Sequence, residues 1–284
     1  MRIGFLKTLL WSRYGQFWLA VARDAGAEPV FAEPEAVLRH AAAGPARDVP
    51  STAFRLATAE ALALAHCDLI IVPDPNYGSE SARGAGQDAW VSGYPEALAS
   101  GSGLRNIFSV PAWLDPSMSD LAVTLLQRLR SDGWRTRMIL ERHRTRLTPR
   151  RPGLPPQARP GTTAVLAQPW LAALEPERLL ADGAVGTHFG QSQLPAELLL
   201  TEGARVRDGL LRTDTEVLGA VRWFNRRGGF SKLVFVRDDG SGPDDWLIRQ
   251  AERSSHKPLE VVHASELMSE SDWLERLPET SGEV

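Results

Sequence analysis

Cysteine is nearly missing from this chain: Cys67 is the only one among 284 residues. One thiol forbids an internal disulfide and cannot supply the several thiolates of a structural zinc site or an iron–sulfur cluster. An excess of either charge sign is missing too. The chain has 32 basic and 35 acidic side chains, a formal net charge of −3, and no long basic stripe. No electrostatic footprint for nucleic acid is legible in that pattern. Long apolar runs are also absent. The opening FLKTLLWSRYGQFWLAVA looks superficially like a signal segment, but Lys7, Arg13 and Gln16 interrupt it, and no run approaches the length of a membrane span. The expectation is a cytoplasmic protein with neither membrane nor nucleic acid as partner. At 43% apolar residues the chain has ample material for a core, so disorder is not the default.

What is present is an alternation of short β-like runs and helical patterns. IGFL (residues 3–6) leads to a helix over Arg13 to Ala25, where Tyr14, Phe17, Trp18, Val21 and Ala22 recur at helical spacing and Gly26 stops it. EPVFA reads as a strand, residues 51–66 as a helix, and CDLIIVPD as a strand buried on both faces and ended by Pro73. A helix near Trp90 to Ala99 precedes the strand RNIFSVP. The stretch LTPRRPGLPPQARPGTT, crowded with proline and glycine, is a linker or long crossing loop. The pattern then restarts with TAVLAQPW as a strand, a short helix over 176–181, AVGTHF as a strand and a long helix over 213–227. KLVFVRD follows as a strand, 244–254 as a helix, LEVVHA as a strand, and a closing helix runs through Trp273.

This order predicts an α/β fold of two Rossmann-like, doubly wound units with mostly parallel sheets. The first covers residues 1–147, the linker 148–162 and the second 163–284, with a cleft between the units. Ligands of such sheets sit beyond the carboxyl ends of the strands. That directs attention to KTLLWSR, PDPNYGSESARGAGQDAW and SVPAWLD.

Few motifs carry chemistry. The glycines of NYGSESARGAGQD fit neither the dinucleotide fingerprint nor the Walker spacing, so the segment reads as a surface loop whose length also suits a lid. The six histidines show no metal-ligand spacing, and no metal is expected; His188 and His263 lie near strand ends. No nucleophile elbow is present. In RDDGSGPDD, Asp238, Asp239 and Gly240 suit a turn, Ser241 or Asp244 suits a helix cap, and anion affinity at that helix start stays open. The nine tryptophans read chiefly as core filling, with a minority available to line a cleft.

Taken together, IGFLKTLLWSRYGQFWLAVARDAGAEPV, VPSTAFRLATAEALA, CDLIIVPD, GYPEAL, VLAQPW, GSGPDDWLIRQAERSSHKPLEVV and SELMSESDWLERL resemble, in order, the 2-hydroxyacyl-CoA dehydratase family and the related domains associated with its activases. The resemblance implies an iron–sulfur cluster held by cysteines from separate loops and reduced by an ATP-dependent partner. It also implies where those cysteines stand. Ala53-Phe54-Arg55 occupies the place of a Cys-Phe-Pro, the loop from Asp74 to Trp90 has no cysteine, and Ser241 precedes Gly242-Pro243-Asp244. Alanine has no donor atom and a serine hydroxyl substitutes poorly for a thiolate, so cluster chemistry is not expected. Cys67 matches none of these places and reads as an inert buried thiol.

The expectation is therefore a cluster-less relative of the dehydratases, without cofactor, metal or catalytic residue. Its interdomain cleft would bind a small acidic or acyl-type ligand, or a protein partner. Thr8, Trp11, Asn76, Tyr77, Gln87, Ser241 and Asp244 are the candidate contacts, all in loops at predicted strand ends. One alternative is a metal-free hydrolase or lyase using Asp244 or His263 in the same cleft, which gains weight if those side chains lie within hydrogen-bond reach of each other in a closed pocket. Another is an accessory subunit of a dehydratase-like complex, favoured by exposed apolar patches on one face.

Overall fold

A computed structural model describes residues 1–79, 88–114, 118–147, 158–180 and 188–278. Eight strands form two four-stranded sheets, every neighbouring pair parallel. The first contains β1 (Arg2–Phe5), β2 (Glu28–Val30), β3 (Leu69–Asp74) and β4 (Ile107–Pro111) in the order β2-β1-β3-β4. The second contains β5 (Thr162–Leu166), β6 (His188–Gly190), β7 (Phe230–Arg237) and β8 (Leu259–His263) in the order β6-β5-β7-β8. The two orders are the same. In each, the chain steps one way from its first strand and then returns to add the third on the other side, which makes a switch point between β1 and β3 and another between β5 and β7.

The two-faced burial expected of the central strands is observed, and its period is two. Leu69 and Ile71 of β3 join Ile3, Phe5, Phe108 and Val110 under the helices Trp11–Asp24 and Ser119–Arg128. Leu233 and Phe235 of β7 join Ala164, Leu166 and Phe189 under the helices Arg212–Asn225 and Gly242–Ser254. The opposite faces, with Ile70 and Val72 from one sheet and Val165, Val234 and Val236 from the other, belong to a single apolar cluster that runs through both units. Phe54, in the helix Thr52–Ala63, lies in that shared cluster and meets the Trp170 ring edge-on at 4.9 Å. The units therefore share a core across the expected cleft.

Several sequence expectations change. Pro73 does not end β3: it pairs with Val110 of β4, and the strand runs on to Asp74. The missing N–H is tolerated because the β1 partnership has already stopped at Phe5–Ile71. The second unit's first strand closes at Leu166, and the Pro169–Ala172 helix begins inside the segment read as strand. The helices Pro34–Ala41, Ser119–Arg128, Gly133–His143 and Ala196–Ala204 were not anticipated. Most of the expected linker, residues 148–157, and the first part of AVGTHF lie outside the described residues. Among the described residues no helix is long and apolar enough to cross a membrane.

Candidate functional site

The carboxyl ends of both sheets meet at the boundary between the units, and each unit caps a helix of the other. Helix Thr52–Ala63 starts at Ser51, and its first amides point at Asp238, in the loop that leaves β7. The Asp238 carboxylate accepts from the Ser51 hydroxyl at 2.6 Å, the Thr52 amide at 2.9 Å and the Ala53 amide at 3.2 Å. Helix Arg212–Asn225 has no cap from its own flanking side chain. Asn76, in the loop that leaves β3, supplies it: its Oδ1 accepts from the Thr213 amide at 3.1 Å, while its Nδ2 donates to the Val91 carbonyl at 2.8 Å. A cap of this kind satisfies amides that have no partner inside their own helix. Beside it, Arg13 and Glu216 form a two-pronged ion pair across the units at 2.8 and 2.7 Å. Arg13 and Arg212 both lie over the ring of Trp113, 4.3 and 4.2 Å from its centroid.

The two switch points differ in how their polar groups are satisfied. At the first, the buried Glu60 accepts from the amides of Lys7 (2.9 Å) and Thr8 (3.1 Å) and from the Thr8 hydroxyl (2.8 Å). Burial pushes the Glu60 carboxyl up, against the pull of those donors. The Tyr14 hydroxyl donates to the Leu6 carbonyl in the same turn. Leu10 closes it in a left-handed conformation, φ 57°, which a branched side chain adopts only under constraint. This crevice is filled by the protein's own carboxylate.

At the second switch point the buried polar groups are less completely satisfied. Gln168 follows β5, Gln191 follows β6, and Ser241 and Asp244 follow β7; all four are buried. Both polar atoms of the Gln168 side chain, the Ser241 hydroxyl, Asp244 Oδ1 and Gln191 Nε2 find no hydrogen-bond partner of normal geometry in the protein. Gln168 and Ser241 nonetheless face Asp244. Gln191 reaches across to the Ala167 amide with its Oε1, at a long 3.5 Å. The other Asp244 oxygen accepts from the Asp238 amide at 2.8 Å. Burial, and then the neighbouring Asp238 carboxylate, push Asp244 up to about 8, so it is protonated at neutral pH and offers an O–H. Burial also raises Asp238, opposed by its donors from Ser51, Ala53 and Thr52.

The sequence-predicted contacts fall into different environments. Ser241 and Asp244 lie together in this second crevice. Thr8 is committed to Glu60, and Asn76 to Thr213 and Val91. Trp11 is a core residue 1% exposed, its ring against Phe5, Tyr14 and Phe31, with Gly15 leaving room for it. Tyr77 is exposed. Gln87 lies outside the described residues. The Asp238–Gly240 turn forms as expected, with the Ser241 amide donating to the Asp238 carbonyl and Gly240 at φ 78°. The expected cap does not. Ser241 stands at the N-cap position without bonding the helix amides, and Asp244 points back to Asp238 instead. His263 bonds Asp239 at 2.6 Å, which lends the hydrolase alternative no added weight.

Neither a family model, nor a curated protein, nor a solved structure matches this chain. Its chemistry has to be read from its own side chains. Of the places where the dehydratase resemblance implies thiolates, two lie against Asp238: the Ala53 amide donates to its carboxylate and the Ser241 amide to its carbonyl, while residues 80–87 of the third lie outside the described residues. A methyl group and a hydroxyl beside a protonated aspartic acid do not fit an iron–sulfur cluster. Cys67 is buried just before β3, at the amino end of its sheet, whereas Asp238 and Ser241 follow the carboxyl end of β7. Burial raises its thiol, which keeps it an inert core group.

Gln168, Gln191, Asp238 and Glu60 are not among the candidate contacts that the sequence suggests. Gln168 is within reach of such reasoning, being the first polar side chain after the apolar run TAVLA. Reading the strand on through Trp170 hides it.

Proposed function

We propose that this protein binds a small acyl or carboxylate ligand at the switch point of its second unit, under the helix Thr52–Ala63 of the first. The supporting observation is the set of buried polar atoms on Gln168, Gln191, Ser241 and Asp244 that make no hydrogen bond of normal geometry within the protein, Gln168 and Ser241 reaching only toward Asp244. Buried polar groups without partners are rare in native proteins and mark strain or the place of a bound molecule. The set is rich in donors: two amide N–H₂ groups, a hydroxyl, and a carboxyl held protonated near pH 7. Such a set recognises carbonyl or carboxylate oxygen. Phosphate is disfavoured, because no arginine or lysine belongs to the group and a second buried carboxyl, Asp238, stands beside it. The scaffold is that of a cluster-less dehydratase relative, and the role is recognition without catalysis.

All four side chains are covered, so a ligand enters only when the Asp238 clasp and the Phe54–Trp170 contact part. Binding then couples to closure of the two units. Gln168→Leu tests the reading. Replacing an unsatisfied buried amide with an apolar group of similar volume should raise the stability of the free protein by about 1–2 kcal/mol. It should also abolish the thermal shift produced by short carboxylates or acyl-CoA thioesters. In the native protein a ligand at one hundred times its dissociation constant adds about 2.7 kcal/mol. A destabilised Gln168→Leu variant, or one that keeps the ligand shift, would show that the glutamine is satisfied structurally and would end the proposal. Iron bound in stoichiometric amount after anaerobic preparation would overturn the absence of a cluster.

A further inference from the structure

The helix Gly133–His143 wears its pattern inside out. Thr136, Ile139 and His143 face the core, with His143 bonded to Asp24 at 2.9 Å. On the opposite side, one turn apart, stand Trp134, 73% exposed, and Met138, 47% exposed. At 100° per residue these two share the centre of the outward face, with Arg137 and Glu141 along one flank and Arg135 and Arg142 along the other. The surrounding segment 128–146 carries seven arginines, all exposed, against two acids, Asp132 and Glu141. The chain as a whole has a net charge of −3, so this face is a basic island on an acidic protein.

The arginines are positioned but only partly neutralised. Arg142 pairs with Asp24 at 2.7 Å, and Arg144 meets Glu141 at 3.8 Å. Arg135 and Arg146 donate to the Asp24 and Gln16 carbonyls, which fixes their stems without cancelling their charge. Arg128 lies over the Phe108 ring, 5.0 Å from its centroid.

We infer that this face docks the protein, through Trp134 and Met138 flanked by arginines, onto the surface of an anionic lipid bilayer. Charge complementarity selects an anionic surface, and the shape selects a bilayer among such surfaces. A stable protein interface buries roughly 800 Å² on each partner around an apolar core, which two side chains on a single convex helix do not provide. A bilayer needs no matched pocket. Tryptophan is favoured at headgroup level, arginine stems extend along the apolar boundary with their charges in water, and each cation adds its attraction separately. Eleven residues make a helix of about 16 Å, long enough to lie in the headgroup plane and far too short to span.

The test is sedimentation of the full chain with vesicles of phosphatidylcholine alone and of phosphatidylcholine mixed with phosphatidylglycerol. Binding is expected to the mixed vesicles only, and to weaken as salt is added. Each arginine near an anionic surface contributes about fivefold to partitioning, so Arg135→Glu with Arg137→Glu should weaken it at least about tenfold. Trp134→Ser with Met138→Ser should weaken binding while leaving the circular dichroism spectrum and melting temperature unchanged, since both side chains are exposed. Failure to bind mixed vesicles overturns the inference, and so does binding that both double variants leave intact. Retention of a single-stranded oligonucleotide, or self-association, that these variants abolish while vesicles are ignored would assign the face to nucleic acid or to a second copy and equally overturn it.

Discussion

Replacing Asp244 with asparagine should remove a slope from the pH dependence of stability. In the folded protein this carboxyl is buried beside Asp238 and titrates near 8, against 3.8 when unperturbed. The folded state thus keeps a proton that the unfolded chain releases above about pH 4. A group raised in this way contributes stability that is fully present below its unfolded value and is lost as pH climbs to the folded value. Each tenfold difference in proton affinity between the folded and unfolded states corresponds to about 1.4 kcal/mol. From this group alone, unfolding free energy should therefore fall by roughly that amount per pH unit between pH 5 and 8. Over those three units the sum is about 4 kcal/mol. Asparagine preserves the shape, and its oxygen still accepts from the Asp238 amide, but it carries no proton to lose. Urea unfolding at pH 5, 6, 7 and 8 reads the difference: the native curve should descend toward that of Asp244→Asn, and the gap should close or reverse by pH 8. Curves that run parallel would refute a protonated Asp244 and with it the donor set of the proposed site.

Three further outcomes follow from the same contacts. Asp238→Ala leaves the Ser51 hydroxyl and the Thr52 and Ala53 amides without their acceptor, and should cost about 2–4 kcal/mol; because the Asp238 charge raises Asp244, the same variant should also flatten the pH slope described above. Glu60→Gln keeps one acceptor oxygen where two carboxylate oxygens now serve Lys7 and Thr8, and should cost about 1–3 kcal/mol in urea unfolding. Gly219→Ala would place a methyl 1.8 Å from the Leu199 carbonyl, and Gly203→Ala one 1.9 Å from that of Thr215; each should lower stability by about 1–3 kcal/mol or more, because the helices Ala196–Ala204 and Arg212–Asn225 cross backbone to backbone there.

The paired α/β architecture was legible because its signals are local. Continuous apolar runs such as LIIV in β3 and LVFV in β7 announce strands covered on both faces, and the helix between β1 and β2 shows its spacing over a dozen residues. The site was legible only in part, since its contacts are not local. Asp238 reads correctly as a turn residue, yet the helix it caps lies 185 residues or more before it. Glu60 looks like any acid on an alanine-rich helix until the chain, 52 residues away, brings the Thr8 amide onto it. Ser241 and Asp244 were marked for their position after a strand, but spacing could not tell a cap from a buried proton carrier. That distinction depends on burial and on the second carboxylate, which only the fold supplies.

The identical strand order of the two sheets also bears on why the ligand is proposed for the second unit and not the first. Each unit owns a crevice at its switch point, and the backbone there presents amide hydrogens that favour an anion or a carbonyl oxygen. In the first unit a side chain already plays the ligand: both Glu60 oxygens sit on the loop after β1, and three of the donors belong to Lys7 and Thr8. At the matching loop after β5 the Ala167 amide makes only a long bond to Gln191, and the carboxyl there, Asp244, is protonated and faced by Gln168 and Ser241. A carboxylate or acyl oxygen brought in from outside would occupy in the second unit the place that Glu60 holds in the first. On the proposed reading, Glu60 serves as an internal template for the ligand, with amides and a hydroxyl closing on its two oxygens.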